Sequence, residues 1–153
     1  MTRISETVET TLPIEAAFAY LADFANSQEW DPGVASAERI GDGPISVGAR
    51  YRLEVRIGNR VAPMEYRVSE IEPPFRIVLV GAGSGVSAVD TITFTKISTG
   101  TRVDYAADIT LGGIMRLIQP FLRGTFANIA ANAVGGMQRQ LDARAAETRS
   151  GRS

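Results

Sequence analysis

The sequence predicts a single α+β domain in which antiparallel strands form one curved sheet around a long C-terminal helix. Three observations carry that prediction. Between Val34 and Leu111, runs of alternating apolar and polar residues are broken by glycine- and proline-rich turns, the pattern of antiparallel strands with one wet face. After Leu111 the apolar spacing changes from two to three and four, a helical period. At 153 residues, with 44% of them hydrophobic, the chain fits one domain and can bury a core without disulfides or metals.

Each element has its own local reason. From Ile4 to Leu12, the residues Ile4, Val8 and Leu12 alternate with Thr7, Glu9 and Thr11, which suits a strand. Pro13 takes the first position of a short helix, where its missing N–H costs nothing, and Ile14, Phe18 and Leu21 mark that helix's apolar face. Asn26, three residues before Glu29, opens a second short helix in the manner of a capping box. This helix ends near Trp30, and Asp31-Pro32-Gly33 stops it.

Six strands follow. Val34–Ile40 closes at Gly41-Asp42-Gly43-Pro44, and Ala49–Ile57 sets Tyr51, Leu53, Val55 and Ile57 against Arg50, Arg52, Glu54 and Arg56. The arginines read as a solvated face balanced by Glu54 and its neighbours. Gly58-Asn59 turns the chain into Val61–Ile71, with Met64, Tyr66 and Val68 inward. Pro73-Pro74 precedes the buried strand Phe75–Val80, and Val86–Ile97 and Thr101–Leu111 form a last hairpin around Ser98-Thr99-Gly100. In the C-terminal segment Ile114, Leu117, Ile118, Phe121, Leu122, Phe126, Ile129, Ala130, Ala133, Val134, Met137 and Leu141 form a broad apolar stripe that needs the sheet as its partner. Pro120 marks a kink or a new helix start. The domain is expected over residues 1–147, with 148–153 a fraying polar tail.

Composition excludes several chemistries. The chain has no cysteine and no histidine, which removes disulfides, thiolate nucleophiles, serine–histidine–aspartate hydrolysis and the usual zinc and haem sites. No metal site and no cofactor is expected. A net charge of -1 offers no basic field for nucleic acid. No apolar run approaches the ~20 residues that span a bilayer, and no apolar stretch follows Arg3 as a secretory leader would require, so the cytoplasm is the expected location.

The order strand, two short helices, six strands, long helix resembles the helix-grip fold of the START-like (SRPBCC) superfamily, and within it the bacterial polyketide cyclase/dehydrase-like branch. The residues that carry the resemblance are Pro13 with Phe18, Trp30-Asp31-Pro32, Gly48 before the third strand and Glu72-Pro73-Pro74 between strands. Gly100-Thr101-Arg102-Val103 and the run from Gly113-Ile114-Met115-Arg116 to Pro120 complete it, and the match spans about residues 4–146. The resemblance implies a sheet of order 1-7-6-5-4-3-2 whose concave face grips the last helix and leaves a cavity for a small ligand. Because successive strands reverse, the turns after strands three, five and seven (Gly58–Arg60, Gly81–Gly85 and Gly112–Pro120) share one end, the mouth of that cavity. The short helices lie at the other.

Inward parity and the implied cavity assign the ligand-lining residues: Tyr51, Leu53, Val55, Met64, Tyr66, Leu79, Ile92, Phe94 and Tyr105 from the sheet, and Ile118, Phe121, Leu122 and Phe126 from the helix. Asp90 shares its face with Ala88, Ile92 and Phe94, and Glu6 with Ile4 and Val8. A buried unpaired carboxylate costs several kcal/mol, so each needs a partner, a proton, water or a ligand. Glu6, near the chain start, is read as solvated. Asp90 is the candidate acid or base, balanced against a place in solvent at a bulge. Trp30 reads as a core plug under the long helix, and Gly135-Gly136 as a close approach of that helix to the sheet. Gly81-Ala82-Gly83-Ser84-Gly85 precedes a strand, not the helix a dinucleotide loop needs, and reads as a flexible hairpin loop.

The leading functional expectation is a binder or carrier of a small hydrophobic or amphipathic, lipid- or polyketide-like molecule. The alternative is a polyketide cyclase- or dehydratase-type enzyme using Asp90 and a tyrosine. No nucleic acid or membrane span is expected, and a homodimer is left open.

Overall fold

A computed structural model describes residues 2–57, 59–83, 85–113 and 123–150, with the side chains at 57, 123–127, 129 and 148–150 outside that description. Strand β1 (Thr2–Thr10) leads into helix α1 (Ile14–Ala22), a 3-10 turn (Phe24–Asn26) and helix α2 (Ser27–Trp30). Strands β2 (Val34–Ile40), β3 (Arg50–Ile57), β4 (Arg60–Glu72), β5 (Arg76–Gly83), β6 (Val86–Ile97) and β7 (Gly100–Leu111) follow, then helix α3 (Arg123–Ser150). All pairs are antiparallel, and the seven-stranded sheet has the order β1-β7-β6-β5-β4-β3-β2. The curved sheet grips the C-terminal helix, the arrangement expected from the order of elements.

Alternation decides which face is buried. On β6 and β7, Ala88, Asp90, Ile92 and Phe94 and then Thr101, Val103, Tyr105 and Ala107 point to the core. The opposite face is wet, as the arginine pattern on β3 predicted. Its charges are balanced across strands, by Arg52 with Glu38 at 2.7 Å and Arg50 with Glu65 at 3.8 Å, and not by Glu54.

The entry to the helices differs from expectation in detail. β1 stops at Thr10, because the Thr10 hydroxyl accepts from the Leu12 amide and the buried Thr101 hydroxyl donates to the Leu12 carbonyl. Those bonds take Leu12 out of the ladder while burying its side chain. Pro13 is the cap residue of α1, with extended backbone, one position earlier than expected. Asn26 does not cap α2. Its side-chain amide donates to the Tyr20 carbonyl instead, while Asp23 caps the 3-10 turn through the Ala25 amide.

The glycine-rich stretch also differs. Gly81 and Gly83 are the last inner-face positions of β5, paired with Ala88 and Val86 of β6, and are not part of a loop. Gly85 lies in the turn, at the same end of the sheet where β7 runs out, since the Gly112 amide donates to the Gly85 carbonyl at 2.9 Å. The short helices sit at the other end, where Phe18 of α1 meets Phe94 of β6 edge-on at 5.2 Å.

Among the described side chains, helix α3 buries Ala130, Ala133, Met137, Leu141 and Ala145, with Val134 partly buried against the same core; the expected stripe's members before Ala130 lie outside the described side chains. It packs along β1 and across α2. Gln138 donates to the Glu9 carbonyl at 2.8 Å. The close approach expected at Gly135-Gly136 occurs, but at Gly136 alone and against the carbonyl of Trp30 in α2, not against the sheet.

Candidate functional site

The inner face of the sheet is mostly apolar, and Asp90 is its one fully buried carboxyl among the described residues. Four polar side chains are buried among the described residues: Thr10, Ser27, Thr101 and Asp90. Thr10, Ser27 and Thr101 are satisfied by nearby backbone, Ser27 through the Phe24 carbonyl at 2.7 Å. Asp90 has no backbone partner. It sits mid-sheet, with Leu79 of β5 and Ala107 of β7 as its cross-strand neighbours, and is 3% exposed. The hydrogen bond its carboxyl makes among the described residues comes from the Tyr105 hydroxyl, which donates to Oδ2 at 2.7 Å from the diagonal position on β7.

Burial dominates the electrostatics of this pair. Loss of water pushes Asp90 up to about 7; the bond from Tyr105 pulls it down, and the charges of Asp31 and Asp108 add to the rise. Tyr105 and Tyr66 are both held well above the ordinary phenol range, first by burial and then by the charges of Asp90 and Asp31. Asp31, directly after α2, is pushed up to about 6 by burial against a modest opposing effect from the Gly33 amide, which donates to it at 2.8 Å. Asp31 is partly covered, and its charge raises Asp90, Tyr66 and Tyr105 alike.

Aromatic side chains build the walls. Trp30 meets Tyr105 edge-on at 5.9 Å, and its buried indole N–H has no partner. Phe24, from the 3-10 turn, reaches Tyr66 at 5.0 Å and Tyr51 at 6.3 Å. Burial and then the charge of Asp23 raise the Tyr51 hydroxyl, against smaller opposing effects from Arg39 and the Phe24 amide, and it has no hydrogen-bond partner among the described residues. Tyr66 lies flat over β5 because its cross-strand neighbour is Gly81. A β carbon there would meet Cε1 and Cζ of the Tyr66 ring at 2.5 Å.

The sheet residues singled out from the sequence are brought to this one face: Tyr51, Leu53, Met64, Tyr66, Leu79, Ile92, Phe94 and Tyr105 are buried, and Val55 partly so. Glu6 is also on it, directly opposite Tyr105 across β1 and β7, and half-buried. Ile118, Phe121 and Leu122, and the side chain of Phe126, lie outside the described residues. Sequence reading missed Asp31, taken only as a helix stop, and Gly81, taken as loop. A carboxylate next to a core tryptophan and a glycine on inward parity were the available signals. No group of three metal-ligating side chains occurs among the described residues, and no described helix is long and apolar enough to cross a membrane.

A seven-stranded antiparallel sheet of this order, gripping a long C-terminal helix, defines the helix-grip class. The chain belongs to the family described as polyketide cyclase / dehydrase and lipid transport, whose model matches residues 1–148. Solved structures agree on the fold. The Zhui aromatase/cyclase from Streptomyces sp. R1128 superposes with a TM-score of 0.76 at 12% identity, over 92% of this chain and 93% of that one. A START superfamily protein from Mycobacterium smegmatis gives 0.73 at 16% identity, over 91% and 96%. A conserved protein from Geobacillus kaustophilus gives 0.66 at 21% identity, over 92% and 95%. Among curated protein sequences there is no significant match.

Proposed function

We propose that this protein binds a small hydrophobic or amphipathic, lipid- or polyketide-like molecule on the inner face of the sheet, under the C-terminal helix, and does so in the cytoplasm. The observation that carries the reading is the Asp90–Tyr105 pair: one buried carboxyl and one buried hydroxyl, 2.7 Å apart, in a mostly apolar surface. Apolar walls with a few placed polar groups are how small-molecule sites gain affinity and orientation together. The family description, which names lipid transport beside cyclase and dehydrase, supports the same class of ligand.

Native mass spectrometry of freshly purified protein tests it. A co-purified apolar molecule, released when the protein is unfolded, is the expected result. Protein that stays empty against a panel of lipids and aromatic polyketides overturns the reading.

A second reading is favoured by one observation. A carboxyl near pH 7 is poised to give or take a proton in the physiological range, as a cyclase- or dehydratase-type enzyme requires. The aromatase/cyclase among the similar structures lends it support. Under this reading Asp90→Asn abolishes turnover of a polyketide-like substrate and leaves its binding largely intact. Unchanged turnover in that variant removes the catalytic reading and leaves the binding one standing.

A further inference from the structure

We infer that the ligand's polar end is a hydrogen-bond donor without negative charge, an alcohol, phenol or amine, and that Asp31 is the second carboxyl recognising it. The inference rests on the binding reading above and specifies its ligand class.

The groups that face the centre of the inner surface are all of one kind. Asp90 and Tyr105 come from the sheet and Tyr66 from β4; Asp31 directly follows Trp30, whose ring meets Tyr105 at 5.9 Å, and half-buried Glu6 stands opposite Tyr105. Among the described cations, Arg39 of the edge strand β2 stands opposite Tyr51, but its guanidinium donates to the carbonyls of Gly43, Asp42 and Pro44. The arginines of β3 point to the wet face, where Arg52 and Arg50 pair with Glu38 and Glu65. A negatively charged head placed here would be desolvated beside carboxyls, with no cation bonded to them among the described residues.

Unused hydrogen-bonding capacity points the same way. The Tyr66 side chain is buried, with 7% exposure, and its hydroxyl makes no hydrogen bond among the described residues. Its ring crosses β5 at Gly81, with Ala88 of β6 next in line and Asp90 two residues along that strand. A phenol oxygen accepts as well as donates, and a carboxylate only accepts. Among the described residues the Asp90 carboxyl receives one bond, from Tyr105, and the Asp31 carboxyl one, from the Gly33 amide. A donor head therefore finds vacant acceptors on Asp90, Asp31 and Tyr66, whereas a carboxylate or phosphate head finds chiefly repulsion.

Three amphiphiles of equal chain length test the inference: dodecanol, dodecylamine and dodecanoate, each below its critical micelle concentration. Trp30, the one tryptophan in the chain and a neighbour of Tyr105, supplies the fluorescence signal, checked by calorimetry. At pH 8 the alcohol and the amine are expected to bind at least about tenfold tighter than the carboxylate, a modest demand on like-charge repulsion at partly buried distances. In Asp31→Asn, which keeps a side-chain acceptor for the Gly33 amide, and in Asp90→Asn, the preference for amine over carboxylate is expected to shrink at least about threefold. Dodecanoate binding as tightly as the others, or an unchanged preference in both variants, overturns the inference and leaves the binding reading intact. Failure of all three amphiphiles to bind overturns both.

Discussion

The α carbon of Gly136 in α3 faces the carbonyl oxygen of Trp30 in α2 so closely that a β carbon at position 136 would lie 1.9 Å from it. The long helix is thus seated by backbone against backbone. Trp30, directly below, meets Tyr105 and so joins the seat of the helix to the buried pair on the sheet.

Gly136→Ala should therefore destabilise the protein by about 2 kcal/mol or more, because the obstacle is main chain and cannot rotate away. Gly135→Ala, one residue earlier, meets only the end of the Arg139 side chain at 3.5 Å. It should be neutral or stabilising by up to about 1 kcal/mol through helix propensity. Chemical denaturation of the two variants side by side checks this, and equal effects would contradict the contact.

Gly81 and Tyr66 should behave as a coupled pair. Gly81→Ala is expected to cost about 1–3 kcal/mol, since the new methyl group displaces the Tyr66 ring. In a Tyr66→Ala background the same change should cost far less, giving a coupling energy of at least about 1 kcal/mol in a double-mutant cycle. Additive effects would mean that the ring does not lie over the strand.

Asp90 should make stability fall as pH rises. Its carboxyl is raised to about 7 in the folded protein, against about 4 in an unfolded chain. Below pH 4 both states hold the proton and Asp90 carries no penalty; between pH 4 and 7 the unfolded state ionises first; above pH 7 the full cost, at most about 4 kcal/mol, is in place. Asp31, raised to about 6, acts with the same sign over the lower part of that window. Asp90→Asn, which retains an acceptor for Tyr105, should thus be more stable than the parent at pH 8 and nearly equal to it at pH 4. The groups that bear on this carboxyl, Tyr105, Asp31, Asp108, Tyr66 and Glu6, are unchanged in the comparison. Urea midpoints across that range measure the effect, and a pH-independent difference would refute the raised pKa.

Much of this architecture is legible along the chain. Val34–Ile40 and Val86–Ile97 have the boundaries that alternation and turn residues indicate, and the inward parity of Tyr51, Tyr66, Asp90 and Tyr105 follows from the same count. Local chemistry misled at Asn26, whose side chain reaches back to the Tyr20 carbonyl and makes no capping bond to α2. It misled again where a glycine's reason lay on another strand, as at Gly81.

What the sequence alone determined is each element's period and the face it turns to the core, because side-chain alternation and helical spacing are properties of a few consecutive residues. Tertiary structure alone decided which of those faces meet. The Tyr105 hydroxyl reaches Asp90 through a strand register, Asp31 acts on both from the end of a four-residue helix, and Gly136 finds Trp30 across more than a hundred residues of chain. Such contacts are fixed by how whole elements dock, and no local pattern encodes the docking of parts that are distant in sequence.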